Sequence, residues 1–307
     1  MKKFFRFLFW VLVFFLVINY RNEIVNFIMK NFVDKNKVVF SEGNSYYKNY
    51  DYGFVQNTNN LYPNNKQDIL NIIYTTLNKG LDEITFYCDN DYDNCINDVN
   101  EIASNNDYLS TINNLVHPFN GYHNIYFSIS TYGKINITIN KVYSDSDILL
   151  INNKIQEITN SIFYPNITNY DKIKLFHDYI VNNTVYDSNV SIENQRYITT
   201  NANTALGLLF EGKAVCSGYS DTMAIFLSSQ GFNNYKISSE EHIWNLVNID
   251  GIWKHLDATW DDPVTSNGNN IIIHDFFLID TNKLREKENN LNKENHLFNE
   301  EFYIEAK

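Results

Sequence analysis

Cysteine is scarce in this chain, which has only Cys88, Cys95 and Cys216. A dense disulfide scaffold is thereby excluded, and no second Cys or His pair stands at the spacing a structural zinc site needs. Proline, at 4 residues, and glycine, at 11, are too few among 307 for a collagen-like or low-complexity chain. Basic residues are outnumbered by acidic ones, 24 to 36, and no Lys/Arg cluster interrupts the body. A net charge of −12 without such a cluster offers no surface that tracks phosphates, so no nucleic-acid partner is expected. A run of about 20 apolar residues, the length a membrane-crossing helix requires, is also missing.

The longest apolar stretch is Phe7–Ile18, 12 residues preceded by Lys2, Lys3 and Arg6. That length suits the core of a signal segment, and no small-x-small cleavage site follows it. Instead Asn19-Tyr20-Arg21 leads into Ile24, Val25, Phe27, Ile28 and Phe32 at near-helical spacing. Residues 1–35 therefore read as an uncleaved signal anchor with a juxtamembrane helix. By the positive-inside rule the anchor puts the N-terminus in the cytoplasm and the body outside a single-pass cell membrane. A cleaved signal and a secreted body is the alternative. In an exported body Cys88 and Cys95 could pair, or both could be reduced and partly buried.

A hydrophobic content of 44% and an aromatic content of 16% supply one large or two ordinary cores. Asp34 to Asn65 is polar and reads as a linker. A helix with Ile69, Leu70, Ile73 and Leu77 follows, then a strand at Glu83–Tyr87, a helix around Cys95–Ala103, and a hairpin in which Ile125, Phe127 and Ile129 alternate, as do Ile135, Ile137 and Ile139. These make a small α+β module, residues 36–145, with His117 and His123 in a loop. Ser144 or Asp145 can cap the helix that opens a second unit, residues 146–307. His177 lies on a helix at a surface or interface, Ala205, Leu206 and Leu209 form a short helix, Phe276–Ile279 is a late strand, and Lys283–Glu294 is a solvated helix or loop.

Cys216 stands between a short extended run and a segment with Met223, Phe226 and Leu227 at helical spacing. A thiol on a first helical turn is either a small buried core residue or a nucleophile, because the free N–H groups and dipole there favour thiolate. Downstream, two strands meet at Asp250-Gly251, a strong hairpin signal. A two-residue loop pairs Ile249 with Ile252, which sets His242 opposite Thr259 and Trp244 opposite Asp257, all four on one face. His242 and Asp257 become diagonal neighbours within reach of an imidazole–carboxylate hydrogen bond. His255 shares that face, opposite Leu246, and is the alternative base. Asp261 and Asp262 lie past the strand in capping or loop roles. The pattern supplies nucleophile, base and orienter.

Three blocks, Gly-Lys-Ala-Val-Cys-Ser-Gly-Tyr from Gly212, His-Ile-Trp-Asn-Leu-Val from His242, and the hairpin arm Asp250 to Pro263, resemble in this order the transglutaminase-like branch of the papain-like cysteine enzymes. Upstream, LFHDYIVNNTVYD and NTALGLLFEGKAV are similar to that family as well, so the resemblance covers about Ile148 to the C-terminus. It implies an α+β fold with the cysteine-bearing helix packed on an antiparallel sheet, and the catalytic residues Cys216, His242 and Asp257. The implied activity is acyl transfer through a thioester on peptide or protein substrates, favouring peptidase-like hydrolysis, with no cofactor and no metal. Protein crosslinking by the same chemistry and a non-catalytic surface-binding module are the alternatives.

Overall fold

The computed structural model describes residues 2–21, 23–24, 39–89, 91–130, 133–190, 200–263 and 271–307. Helix α1, Lys2–Asn19, buries none of its side chains. Among the described residues no helix is long and apolar enough to cross a membrane, so the expected single-pass span is not found in them. The apolar positions that would extend α1, Val25, Phe27, Ile28 and Phe32, lie outside the described residues.

The chain from Tyr46 to Leu61 is no loose linker. Tyr52, Phe54, Val55 and Leu61 are buried, and Asn57 accepts from Asn78, which also donates to the Lys48 carbonyl. Asn65 caps α2, Lys66–Asn78. Strand β1, Glu83–Tyr87, is followed by α3, Cys95–Ser104, and by α4, Asn106–Leu115, which the sequence reading had no helix for. Cys88 and Cys95 are joined in a disulfide. The hairpin is β2, Tyr122–Ile129, and β3, Lys134–Lys141, in an antiparallel sheet of order β1-β3-β2. His123 falls within β2, whereas His117 is buried in the preceding turn, its Nδ1 accepting from the Phe119 N–H at 3.1 Å.

Ser144, in a capping box with Asp147, opens α5, Asp145–Ile162. Next come α6, Asn169–Asn183, and the two-residue strands β4, Val185–Tyr186, and β5, Lys213–Ala214, which pair in parallel. Helix α7, Cys216–Ser229, precedes an antiparallel sheet of β6, Asn234–Ser238, β7, Ile243–Ile249, and β8, Ile252–Leu256. Phe276–Ile279 is not a strand but joins His255 through a single bridge at Ile279. Helix α8, Thr281–Leu291, follows.

The β6-β7-β8 sheet is the middle layer. Side chains alternate across a strand, and here both sets are covered: Asn245 and Val247 face α7, while Tyr235, Ile237, Trp244 and Leu246 join the core of the first unit. Burial on both faces is why β6 and β7 read as nearly continuous buried runs. That shared core also holds Ile69, Phe86, Ile137 and Tyr303, so it crosses the expected 145/146 boundary.

Candidate active site

Cys216 is placed by what precedes it. Gly212 adopts a left-handed conformation, φ 63°, which turns the chain into β5. The Val215 N–H donates to the Ala202 carbonyl at 2.9 Å, pinning the strand end to the 201–203 turn. The first turn of α7 then packs so closely on that turn that a Cβ at Gly218 would stand 2.5 Å from the Ala202 oxygen. Val215 at the N-cap offers no side-chain acceptor, so the N–H groups of Cys216 and Ser217 lack both helical and capping partners, while the Gly218 N–H donates to the Val215 carbonyl at 2.9 Å. The thiol beside them is 7% exposed. Tyr186 is close enough that Cys216 and Asp257, after burial itself, push its hydroxyl upward in pKa.

His242 sits on a tight turn before β7, where Ser239 Oγ accepts from its N–H at 3.1 Å and the Ser239 N–H donates to its carbonyl at 2.9 Å. The hairpin has the expected register, with Ile249 opposite Ile252 and Leu246 opposite His255. The ladder stops at Asn245–Leu256, however, and His242 and Thr259 are not a ladder pair. The reason lies in Asp257: its Oδ1 accepts from the N–H groups of Thr259 (2.9 Å) and Trp260 (3.2 Å), which folds the chain into a turn. Its Oδ2 lies 2.6 Å from His242 Nε2, leaving Nδ1 for Cys216. Trp244 stacks on the His242 ring, centroids 5.7 Å apart.

Burial alone would push His242 down. The Asp257 carboxylate, by charge and hydrogen bond, and then Cys216 more than offset this and raise its pKa to about 10. For Asp257 burial works upward, but His242 and His296 together hold the carboxyl well below the usual range.

His296 and Glu288 were absent from the sequence reading. His296 Nε2 lies 2.9 Å from the same Asp257 Oδ2, and its Nδ1 is 2.7 Å from Glu288 Oε1. The His296 N–H donates to Glu288 Oε2 at 3.1 Å. Both side chains are buried, although Glu288 belongs to the segment expected to be solvated. One signal could have found Glu288: it stands four residues after Leu284 and so shares the buried face of α8. For His296 only its neighbourhood to the apolar Leu297 and Phe298 hints at burial.

His255, the alternative base, has both ring nitrogens engaged by other side chains. Its Nδ1 accepts from Trp244 Nε1 at 3.0 Å, its Nε2 is 3.1 Å from Thr281 Oγ1, and burial first, then the charge of His296, lowers its pKa to about 3. His177 is fully buried rather than at a surface, 3.0 Å from Asp178 and 3.2 Å from Asp261. Asp261 and Asp262 are buried too: one accepts from the Phe276 N–H at 2.9 Å, the other from the Tyr219 hydroxyl at 2.5 Å. Two sets among the described residues could gather round a metal ion, His177 with Asp178 and His274, and His242 with Asp257 and His296. In the first, Lys174 Nζ already lies 2.5 Å from Asp178; in the second, His242 Nε2 and both ring nitrogens of His296 are engaged with carboxylates.

No family model and no curated protein matches the chain. Among solved structures it is similar to a TGase, with 17% identity, 48% of this chain and 46% of the other covered, and a TM-score of 0.36. It is also similar to a candidate cysteine protease from Cytophaga hutchinsonii, with 15% identity, 49% and 65% covered, and a TM-score of 0.28. The chain thus spans less than two thirds of either protein. The α+β architecture, with the Cys216 helix packed on an antiparallel sheet, stands on the chain's own elements.

Proposed function

We propose that the chain is a cysteine-dependent acyl-transfer enzyme acting on peptide or amide bonds, with hydrolysis as its outcome. The observation that supports this most is the shared placement of three buried groups: Cys216 on an uncapped helix start, His242 beside it, and Asp257 2.6 Å behind His242. Sγ of Cys216 attacks the acyl carbonyl while its proton resides on His242 Nδ1. The developing oxyanion takes the unpartnered N–H groups at the start of α7. Collapse of the tetrahedral species breaks the C–N bond, the amine leaves with the Nδ1 proton, and a thioester remains. Water then gives a proton back to His242, attacks the thioester, and releases the acid and the thiol. Asp257 fixes the ring orientation and stabilises the imidazolium throughout.

The test is alkylation of Cys216 by an iodoacetamide probe across pH. A reactive cysteine labels near neutral pH at a rate that falls sharply in His242→Ala; labelling at the rate of a free thiol, unchanged by that substitution, overturns the reading. We also propose that the body acts outside the membrane, with residues 1–35 as its anchor. The Cys88–Cys95 disulfide supports an oxidising compartment, and the exposed apolar residues of α1 support membrane contact. Protease added to intact cells should remove the body, and full protection would refute that topology.

A further inference from the structure

Four buried side chains form one line behind the thiol: His242, Asp257, His296 and Glu288, joined by contacts of 2.6, 2.9 and 2.7 Å. They come from four separate places: the start of β7, the end of β8, helix α8, which carries Glu288, and the segment after it, which carries His296. Ser239 also ties them, because its hydroxyl lies 2.5 Å from the Asn295 carbonyl while it holds the His242 turn. Asp257 has a donor at every acceptor position of its carboxylate, two on each oxygen. His296 lies between two carboxylates. A neutral imidazole can donate to only one of them, so both contacts are made together by an imidazolium or by a carboxyl that has kept its proton. Phe276 stacks on the His296 ring at 5.0 Å, and Trp244 and Trp260 close around it at 4.8 and 5.0 Å. The ring therefore has little room to turn away.

We propose that His296 and Glu288 are positioning residues of the acyl-transfer site: a second imidazole–carboxylate pair that shares the Asp257 oxygen with His242, immobilises that carboxylate and draws on its charge. This rests on the acyl-transfer reading. An oxygen shared by two N–H donors holds each less strongly than it would hold one. His242 is thus oriented by Asp257 without being locked to its proton, which it must deliver to the leaving amine. The other titratable groups facing this line are Cys216 from α7, Tyr186 from β4, His255 from β8 and Asp261 from the turn after it, with Arg285 of α8 and Lys293 and Glu294 beyond it lining the same hollow as Glu288 and His296. None of these is 2.9 Å from Asp257 Oδ2, as His296 is.

Two measurements test the proposal. In wild-type protein, long-range 1H–15N spectra should show a proton on His296 Nε2, the nitrogen 2.9 Å from Asp257 Oδ2; a bare Nε2 overturns the proposal whether or not any variant folds. The pH profile of Cys216 alkylation supplies the second. Replacing the pair by apolar groups, His296→Leu with Glu288→Leu, leaves Asp257 Oδ2 to His242 alone. The basic limb of the profile, where His242 gives up its proton, should then move up by about 1 pH unit, as loss of a competing donor on the shared oxygen implies. Asp257→Asn should move it down. A double variant that is folded and less active but whose limb stays in place marks a merely structural role and ends the proposal. A wild-type profile independent of His242 would instead end the acyl-transfer reading, and with it any positioning role for the pair.

Discussion

Asp257 performs two tasks with two oxygens: Oδ1 folds its own chain into a turn and Oδ2 holds the imidazoles. Asparagine can serve the first task and not the second, since it lacks the charge and can present an N–H to His242. In a serine-protease triad the equivalent change costs about 10⁴ in turnover. Asp257→Asn is expected to lose peptide hydrolysis in that direction, while Asp275→Asn, an exposed partner of Lys287, should change it by about twofold or less. Parallel assays of the two folded variants decide the matter. The same pair governs stability against pH. The folded-state pKa of His242 is raised from 6.5 to about 10, so its contribution is complete below about pH 6.5 and is lost as pH rises toward 10. Asp257 is depressed from 3.8, so its contribution is complete above about pH 4 and is lost as pH falls further. The gap in unfolding midpoint between wild type and Asp257→Asn should be widest from about pH 4 to 6.5 and should close toward pH 10.

Among elements, α7 depends on one missing side chain. Gly218→Ala would drive a methyl group against the Ala202 carbonyl, and backbone cannot yield as a flexible side chain does. A loss of about 1–3 kcal/mol in urea unfolding is expected, with slower Cys216 labelling as the helix start shifts. The hairpin behind His242 was legible from sequence because its information is local. Asp250 and Gly251 both take positive φ, 53° and 88°, and that turn fixes the register of the strands it joins. Cys216, His242 and Asp257 were legible for the same reason, each lying within or next to a short periodic element. Helix α4 was overlooked because Asn106–Leu115 is half polar, with apolar positions only at Leu109, Ile112 and Leu115 on the buried side. Glu288 and His296 were hidden more deeply. Charged α8 looks like a solvated face until tertiary packing supplies the partners that make its burial tolerable.

At the scale of the molecule, one core joins residues that the sequence divides at 145. Tyr52, Ile69 and Phe86 share a cluster with Tyr235, Trp244 and Tyr303, and Asn114 Nδ2 donates to Ser238 Oγ at 3.0 Å and to the Tyr303 hydroxyl at 2.9 Å. Urea unfolding of the body should therefore follow a single transition by both tryptophan fluorescence and circular dichroism, and residues 146–307 alone should not give a stable fold. Two separated transitions would show that each unit holds its own. Replacing Cys88 and Cys95 by Ser should cost roughly 2–3 kcal/mol, the value for so short a closed loop, and leave Cys216 labelling intact. The line from Cys216 to His296 also runs along the order of synthesis. The thiol is made 80 residues before His296, which at ordinary translation speeds is a delay of about 4–16 s. Through that interval Cys216 exists without the full line behind it, since His242 follows it, then Asp257 and last His296, and the common core still lacks Tyr303. The line behind the thiol is thereby complete only once the segment after α8 has been made, and a copy cut short before that segment holds Cys216 with no second imidazole on Asp257.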